Sequence, residues 1–380
     1  MNILMLSWRG PKHPHYGGAE INTLENVTAW VKDGNKVVWF TSIFPGGLPS
    51  EVINGVEIVR IGSQNFEVHI AAFWWYLFGH HAKFDIVVDQ FHGIPFFTPL
   101  YVRVPKLAFI HEVAHEVWQL NPWPRPLNLI PSLFGSLFEP IIFYFYRNIH
   151  FMTVSNSTKT DLVEYGIPAK NISVFLSGVN LSLPSPLPAK TKTPTIMFLG
   201  ALSKDKGIED AIVTFSLIYK ARPSWKFLIV GVGESEYLKK LQKNCFRLGI
   251  ENQTKFVGFC APFKKFKLLS SAHILVNPSI REGWGLVNIE ANAVGTPVVG
   301  YEVPGTRDSV RHNITGILVP AHNTESMADK VIQLVENQKK YKQLSKNSIT
   351  WSKQFSWDKF TKQSLSLLKK QLIFPRSATL

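Results

Sequence analysis

At 380 residues the chain is long enough for two domains, and 45% hydrophobic against 18% charged residues excludes a disordered polymer. Two cysteines, Cys245 and Cys260, exclude a disulfide framework and a four-cysteine zinc module, and point to a reducing compartment. A formal charge of +14 is the unusual figure, and it asks for an anionic partner: nucleic acid, acidic membrane or a phosphorylated small molecule.

The chain opens without a basic n-region or a long apolar h-region, so Ile3–Ser7 reads as a first buried strand and not as part of a signal peptide. Lys36–Thr41, Ile86–Asp89, Lys106–Ile110 and Phe151–Val154 are the next predicted strands. Ala19–Lys32 and Asn156–Tyr165 are predicted helices, the second opened by an Asn/Ser cap. The aromatic run Phe73–Phe78 and the pair His80-His81 read as core and surface. Leu129–Tyr146 is the longest apolar stretch, but Pro131, Glu139 and Pro140 interrupt it, and a spanning helix wants about 20 apolar residues. A helix buried against the sheet is expected there, with peripheral membrane contact as the alternative.

Leu181–Pro194 is proline-rich and aperiodic, the composition of a semi-rigid linker. Beyond it, strands are predicted at Thr195–Leu199, Lys226–Val230, Lys255–Val257, Ile274–Asn277 and Val298–Gly300. Gly207–Lys220, Glu234–Arg247, Ala261–Leu269 and Leu286–Ala293 are the helices between them, and the chain from about Asn323 is helical. The alternation predicts an α/β protein of two doubly wound parallel-sheet domains. Residues 1–180 carry 12 basic and 13 acidic side chains, whereas residues 181–380 carry 29 and 14. The positive charge therefore belongs to the second half. Lys239-Lys240, Lys264-Lys265 and Lys339-Lys340 read as solvated helix faces, and no nucleic-acid motif accompanies them.

The most informative segment runs from Asn277 through Arg281-Glu282-Gly283-Trp284-Gly285-Leu286-Val287 to Glu290. A strand ends, a glycine-containing turn follows, and a helix starts near Gly285. Amide groups at a helix start can hold phosphate or sugar oxygens, and glycines let a ligand approach the backbone. Glu282 and Glu290 would stand about 12 Å apart if the segment were all helical. Paired glycosidase carboxylates stand about 5–9.5 Å apart, so these two suit opposite ends of an elongated ligand better than one reacting centre.

The whole string resembles the Glu-x7-Glu region of the retaining glycosyltransferases of family 4. Gly17-Gly18-Ala19-Glu20 matches that family's first glycine-rich loop, and Gly200-Ala-Leu-Ser-Lys-Asp-Lys206-Gly207 its Gly-Arg-Leu-x-x-x-Lys-Gly element. Gly231-Val-Gly-Glu resembles its second Gly-x-Gly turn, and Ser270 through Ser309, then Gly316–Val319, follow its pattern nearly unbroken. The resemblance implies the GT-B fold, two Rossmann-like domains facing a cleft. It implies an acceptor-side domain over 1–180, a linker over 181–194, a nucleotide-sugar domain over 195–356, and a helix over 357–380 crossing back.

By the same resemblance, Glu282, Lys206 and His111 are the catalytic residues. Glu282 would hold the transferred sugar, Lys206 the diphosphate, and His111 would stand near the sugar. Gly17, Gly18, Arg281, Gly283, Trp284, Gly285, Leu286, Val287 and Glu290 would bind the donor, Glu290 through the ribose. The expected activity is retaining transfer of a hexose from a nucleoside-diphosphate sugar to a glycan or lipid-linked acceptor, with no metal and no other cofactor. A cytoplasmic protein, with contact to an anionic membrane face left open and no nucleic-acid partner, completes the expectation.

The chain departs from the family at Ala201, where arginine is usual, and Lys204 or Arg281 are the candidates to replace it. That departure keeps a non-catalytic sugar-nucleotide-binding subunit in view, beside an epimerase on the same fold. A third alternative is local: His111-Glu112-Val-Ala-His115 has the form of a zinc-protease motif, with Glu139 as a nominal third ligand. Such a motif belongs inside a long helix, whereas the residues before His111 read as a buried strand.

Overall fold

The computed structural model describes residues 1–64, 66–114, 118, 129–179 and 182–373. They form two compact units, Met1–Gly178 with the helix from Trp357, and Val179–Ser356. Asn180 and Leu181, at the predicted boundary, lie outside the described residues.

The first unit contains β1 (Asn2–Ser7), β2 (Lys36–Thr41), β3 (Ser50–Ile53), β4 (Val56–Arg60), β5 (Ile86–Phe91), β6 (Lys106–Ile110), β7 (His150–Thr153) and β8 (Ile172–Val174). The sheet order is β3-β4-β2-β1-β5-β6-β7-β8, parallel except for the edge strand β3. Its helices are α1 (Gly18–Lys32), α2 (Glu67–Phe78), α3 (Thr98–Tyr101), α4 (Leu129–Tyr146) and α5 (Asn156–Glu164). Central strands such as β5 are buried along their whole length, as a sheet covered on both faces requires. Asp89 is the polar exception in β5. Its carboxylate accepts from the Thr98 hydroxyl at 2.7 Å, from the Phe96 amide at 3.2 Å and from the Tyr146 hydroxyl, which ties α3 and α4 to the sheet.

The second unit contains β9 (Thr195–Leu199), β10 (Lys226–Val230), β11 (Thr254–Gly258), β12 (Ile274–Asn277), β13 (Val298–Tyr301) and β14 (Gly316–Val319). All are parallel, in the order β11-β10-β9-β12-β13-β14. Its helices are α6 (Ile208–Ala221), α7 (Ser235–Arg247), α8 (Pro262–Ser271), α9 (Leu286–Ala293), α10 (Thr306–Ser309), α11 (Thr324–Glu336) and α12 (Gln338–Ser352). The core gathers Ile196, Phe198, Phe227 and Val276 from the sheet with Phe215 of α6 and Val331 of α11, two helices that pack against each other.

The last helix, α13 (Trp357–Ile373), packs on α1 of the first unit. Trp30 Nε1 donates to Ser364 Oγ at 3.1 Å, and that hydroxyl donates to Asn26 Oδ1 at 2.6 Å. These are buried polar side chains that satisfy one another across 338 residues of chain.

The latter part of the proline-rich segment is pinned to the second unit. Lys190 Nζ donates to Ala272 O and Thr296 Oγ1, both at 2.6 Å, and Ser270 Oγ donates to Pro188 O at 2.7 Å. Burial lowers the Lys190 amine to about 7. One reading needs correction, because α4 is not buried all round. It sinks Glu139, Ile142, Phe143 and Tyr146 toward the sheet but leaves Leu133, Leu137, Ile141 and Tyr144 exposed. An apolar helix laid on one face of a sheet has one side to bury there, and nothing among the described residues covers the other.

Candidate active site

Among the parallel strands of each sheet the order reverses once, between β1 and β5 in the first and between β9 and β12 in the second. The connections leaving such neighbours diverge to opposite faces and open a crevice at the strands' carboxyl ends, where ligands of doubly wound sheets bind. In the second unit those two connections are residues 200–207 and 278–285. They carry Lys206 and Glu282.

Lys206 Nζ lies 3.0 Å from Glu282 Oε2, and Ser279 Oγ donates to Glu282 Oε1 at 2.7 Å. The two connections are also joined through the backbone, where Ile280 N donates to Asp205 O at 2.9 Å. Gly207 makes that approach feasible. Its φ is +69°, and a Cβ there would stand 1.9 Å from Pro278 O. Glycine is likewise required at Gly285, the residue before α9, where φ is +77° and a Cβ would meet Asn288 Nδ2 at 2.7 Å. Leu286 and Val287 then form the first turn of α9, whose N–H groups have no acceptor within a helix. Their helix-start partial charge is positive, which suits phosphate or sugar oxygens.

Glu290 lies further along α9 and pairs with Lys265 of α8. Burial pushes the Glu290 carboxyl up, and the Lys265 ammonium opposes that shift. The pairing corrects the reading of Lys264-Lys265 as a solvated face: Lys264 is exposed, but the Lys265 side chain is 21% exposed. Helical spacing carries the signal, since Lys265 stands one turn before buried Leu269. Only residues from Leu286 onward are helical, so the separation of Glu282 from Glu290 is not that of one continuous helix.

Trp284 and Arg281 turn their side chains inward. The Trp284 side chain is 4% exposed and meets the Phe355 ring edge-on at 5.1 Å, so only its backbone can face a ligand. Arg281 is buried as well, at 6% exposure, whereas Ala201 and Lys204 are exposed beside β9. Gly283 is half-buried between Arg281 and Trp284.

In the first unit, Gly17 precedes α1 and Gly18 begins it. Gly17 N donates to Glu20 Oε2 at 2.7 Å, and Glu20 Oε1 lies 3.1 Å from Arg9 Nε. Neither conformation nor packing demands glycine at 17, since φ is −142° and a Cβ would stand 3.5 Å from the Glu20 carboxylate. The missing side chain leaves space above the helix start.

His111 follows β6, and the residues to Ala114 are irregular rather than helical. His115 lies outside the described residues. Glu139, the nominal third zinc ligand, is buried and already accepts from Ala114 N and from the Tyr165 hydroxyl, each at 3.0 Å. Two residues unremarked in the sequence hold His111. Thr23 Oγ1 lies 2.5 Å from Gln90 Oε1, a length that suits O–H···O and is too short for N–H···O. The Gln90 amide is thereby oriented, and its Nε2 faces His111 Nε2 at 3.1 Å. That bond makes His111 Nε2 an acceptor and places the imidazole proton on Nδ1.

Burial, with His92 adding, lowers His111 to about 3. Burial likewise lowers His13 and His273, each to about 4. Between those values and the ordinary 6.5, only the unfolded chain binds the proton. The contribution of these three histidines is thus complete above about 6.5 and is lost as the pH falls toward these values. Acid unfolding of His111→Gln should show a shallower decline between pH 6.5 and about 4 than the parent. Equal slopes would remove His111 from the acid limb.

The profile of the glycosyltransferase family 4 domain matches residues 16–183, and that of glycosyl transferases group 1 matches residues 182–351. An uncharacterized glycosyltransferase of Methanocaldococcus jannaschii is 29% identical, over 97% of this chain and 98% of that one. Among solved structures, sucrose-phosphate synthase from Thermosynechococcus elongatus superposes with a TM-score of 0.81 at 19% identity, covering 98% of this chain and 99% of that one. The Anabaena protein HepE in complex with UDP-glucose gives 0.72 at 19% identity, over 97% and 100%. At these identities the structures establish the fold, which is GT-B.

Proposed function

The chain belongs to the group 1 glycosyltransferases of family 4, and on that premise we propose that it transfers a hexose from a nucleoside-diphosphate sugar to a hydroxyl of a glycan or lipid-linked acceptor, retaining the anomeric configuration. The observation that carries this reading is the 3.0 Å pair of Lys206 and Glu282 at the switch point between β9 and β12. A cation and a carboxylate are held together beside a helix start, where a diphosphate and a sugar hydroxyl would each find a partner.

In this reading the C1–O bond to the diphosphate breaks while the C1–O bond to the acceptor forms on the same face of the sugar. The acceptor proton passes to the departing diphosphate. Charge accumulates on the leaving group, so Lys206 and the amides of Leu286 and Val287 act where stabilisation is worth most. Glu282 holds a sugar hydroxyl and Glu290 the ribose. No metal or other cofactor is needed, because those groups supply the positive charge. The UDP-glucose complex of HepE makes UDP-glucose the first donor to try, with GDP-mannose next.

Ala201 favours a second reading, a subunit that binds the donor without turning it over. Its exposed side chain stands where an arginine would add a second cation. Ala201→Arg is therefore expected to raise kcat/KM by roughly ten- to a hundredfold, the value of one charge-assisted hydrogen bond. Unchanged kcat/KM would mean that the position does not reach the diphosphate. A panel of nucleotide sugars, tested for binding and for slow donor hydrolysis, decides between the readings. If none binds, the transferase reading fails. Binding without turnover over a broad acceptor panel establishes the non-catalytic one.

A further inference from the structure

We propose that the outer helical layer of the first unit is a docking face for an anionic lipid surface, independent of the donor site. Two helices of that layer are apolar on the wrong side for a folded core. On α2 and its entry residue, Phe66, Ile70, Trp74, Leu77 and Phe78 are exposed, with Phe78 at 68%. On α4, Leu133, Leu137, Phe138, Ile141, Tyr144 and Phe145 are exposed, with Leu133 at 64%. At about 100° per residue, each set falls within one arc about 140° wide. The opposite arcs carry the buried residues, Val68 and Ala72 on α2 and Ile142 and Tyr146 on α4.

Both helices cover the same face of the sheet. Leu4 and Leu6 of β1 stand beside Val87 and Asp89 of β5, and Asp89 stands beside Ala108 of β6, so these side chains share a face. Helix α2 packs on Leu4, Leu6 and Val87, and α4 packs on Ala108 and Phe151. Between them, α3 adds Leu100 at 56% exposure. The exposed arcs therefore lie on one side of the unit and form one apolar layer, larger than the scattered surface residues a monomer carries.

The charge around this layer selects its occupant. The connections that enter β5, β6, β7 and β8 all lie at the strands' amino ends, along one edge of the layer. They carry exposed Lys83, Arg103, Arg147 and Lys170, against Asp85 and, at the end of α5, Glu164. Asp85 is already engaged by the Asn2 amide at 2.7 Å. The Arg147 guanidinium sits 4.4 Å over the exposed Tyr144 ring, joining the basic edge to the apolar face. Two copies paired about a two-fold axis would set four basic side chains against only Asp85, already engaged, and Glu164. An anionic lipid surface supplies the opposing charge, and aromatic side chains beside basic ones suit the headgroup boundary. No helix among the described residues is long and apolar enough to cross a membrane, so the layer would lie in the interface.

The test is co-sedimentation of the full-length protein with vesicles of phosphatidylcholine alone and of phosphatidylcholine mixed with phosphatidylglycerol. Binding is expected to the mixed vesicles, weaker to the zwitterionic ones, and reduced by salt. Trp74→Glu with Ile141→Glu should lower it at least tenfold, and Lys83→Glu with Arg147→Glu should abolish the preference for anionic lipid. The altered side chains are exposed, so unchanged circular dichroism and nucleotide-sugar binding would exclude misfolding, and would separate this proposal from the transferase reading. No vesicle binding, or binding indifferent to Trp74 and Ile141, overturns it. So does a concentration-dependent dimer that those two substitutions dissolve while vesicle binding is absent.

Discussion

Replacing Lys206 by alanine is expected to lower kcat for sugar transfer by about a thousandfold, the cost of one preorganised charge partner at a developing oxyanion. The effect should fall at the upper end of that class because the chain has Ala201 where a second cation would stand. Losing Lys206 also does more than remove attraction. It leaves the Glu282 carboxylate, 13% exposed, without its 3.0 Å lysine partner and facing a dianionic ligand. Glu282→Gln placed in the Lys206→Ala background should therefore recover donor affinity relative to Lys206→Ala alone. In the parent background the same Glu282→Gln should weaken transfer, since it loses the charged acceptor for the sugar hydroxyl. Such a sign reversal is the mark of two groups acting as a unit. Lys206→Ala with kcat within tenfold of the parent would remove Lys206 from the diphosphate, whatever its effect on stability.

Much of the fold was legible because its cause is local. Strands such as Lys36–Thr41, Lys106–Ile110 and Thr195–Leu199 are short apolar runs bounded by turn residues, and they occur where that pattern places them. The hairpin of β3 and β4 went unread although its Asn54-Gly55 turn, with φ of 53° and 81°, is a strong two-residue signal. Its strands alternate with charged residues and carry little apolar mass, so composition hid them. Helix α2 was missed for the opposite reason. Its all-round apolar sequence gives no amphipathic period, and its aromatic run was assigned to core and surface without an element.

The site divides in the same way. Lys206, Glu282 and Glu290 stood out because motifs carry them, and the topology brings the first two into contact. Gln90, Thr23 and Lys265 did not, because each acts through a neighbour distant in sequence. Gln90 meets His111 across 21 residues, and Lys265 meets Glu290 across 25. Trp284 shows how the two parts of a residue can serve differently. The expected ligand contact at 283–287 is through the backbone, and the indole packs against Phe355. A motif records which backbone approaches the ligand and is silent about which way each side chain turns.

Gly207→Ala should destabilise the second unit by about 3 kcal/mol, from about 1–2 kcal/mol of left-handed strain and about 1–3 kcal/mol for forcing neighbouring backbone aside. The second contribution is specific to this position. A Cβ at Gly207 would stand 1.9 Å from Pro278 O and 2.6 Å from Pro278 C, and neither is the movable end of a side chain. Gly249 supplies the control within the same unit. Its φ is +67°, nearly that of Gly207, but a Cβ there meets nothing within 4 Å. Gly249→Ala should thus cost only the strain, about 1–2 kcal/mol. Urea unfolding of both variants isolates the contact as the difference between them. The two should part further in activity. Relief of the clash at Gly207 must separate residues 200–207 from 278–285, stretching the Ile280–Asp205 bond and the Lys206–Glu282 pair together. Gly207→Ala is expected to lose donor binding at temperatures where it remains folded, while Gly249→Ala keeps it. Equal stability loss in the two variants would mean that the connections are not packed as tightly as 1.9 Å implies. Retained donor binding in Gly207→Ala would mean that the pair does not depend on that packing.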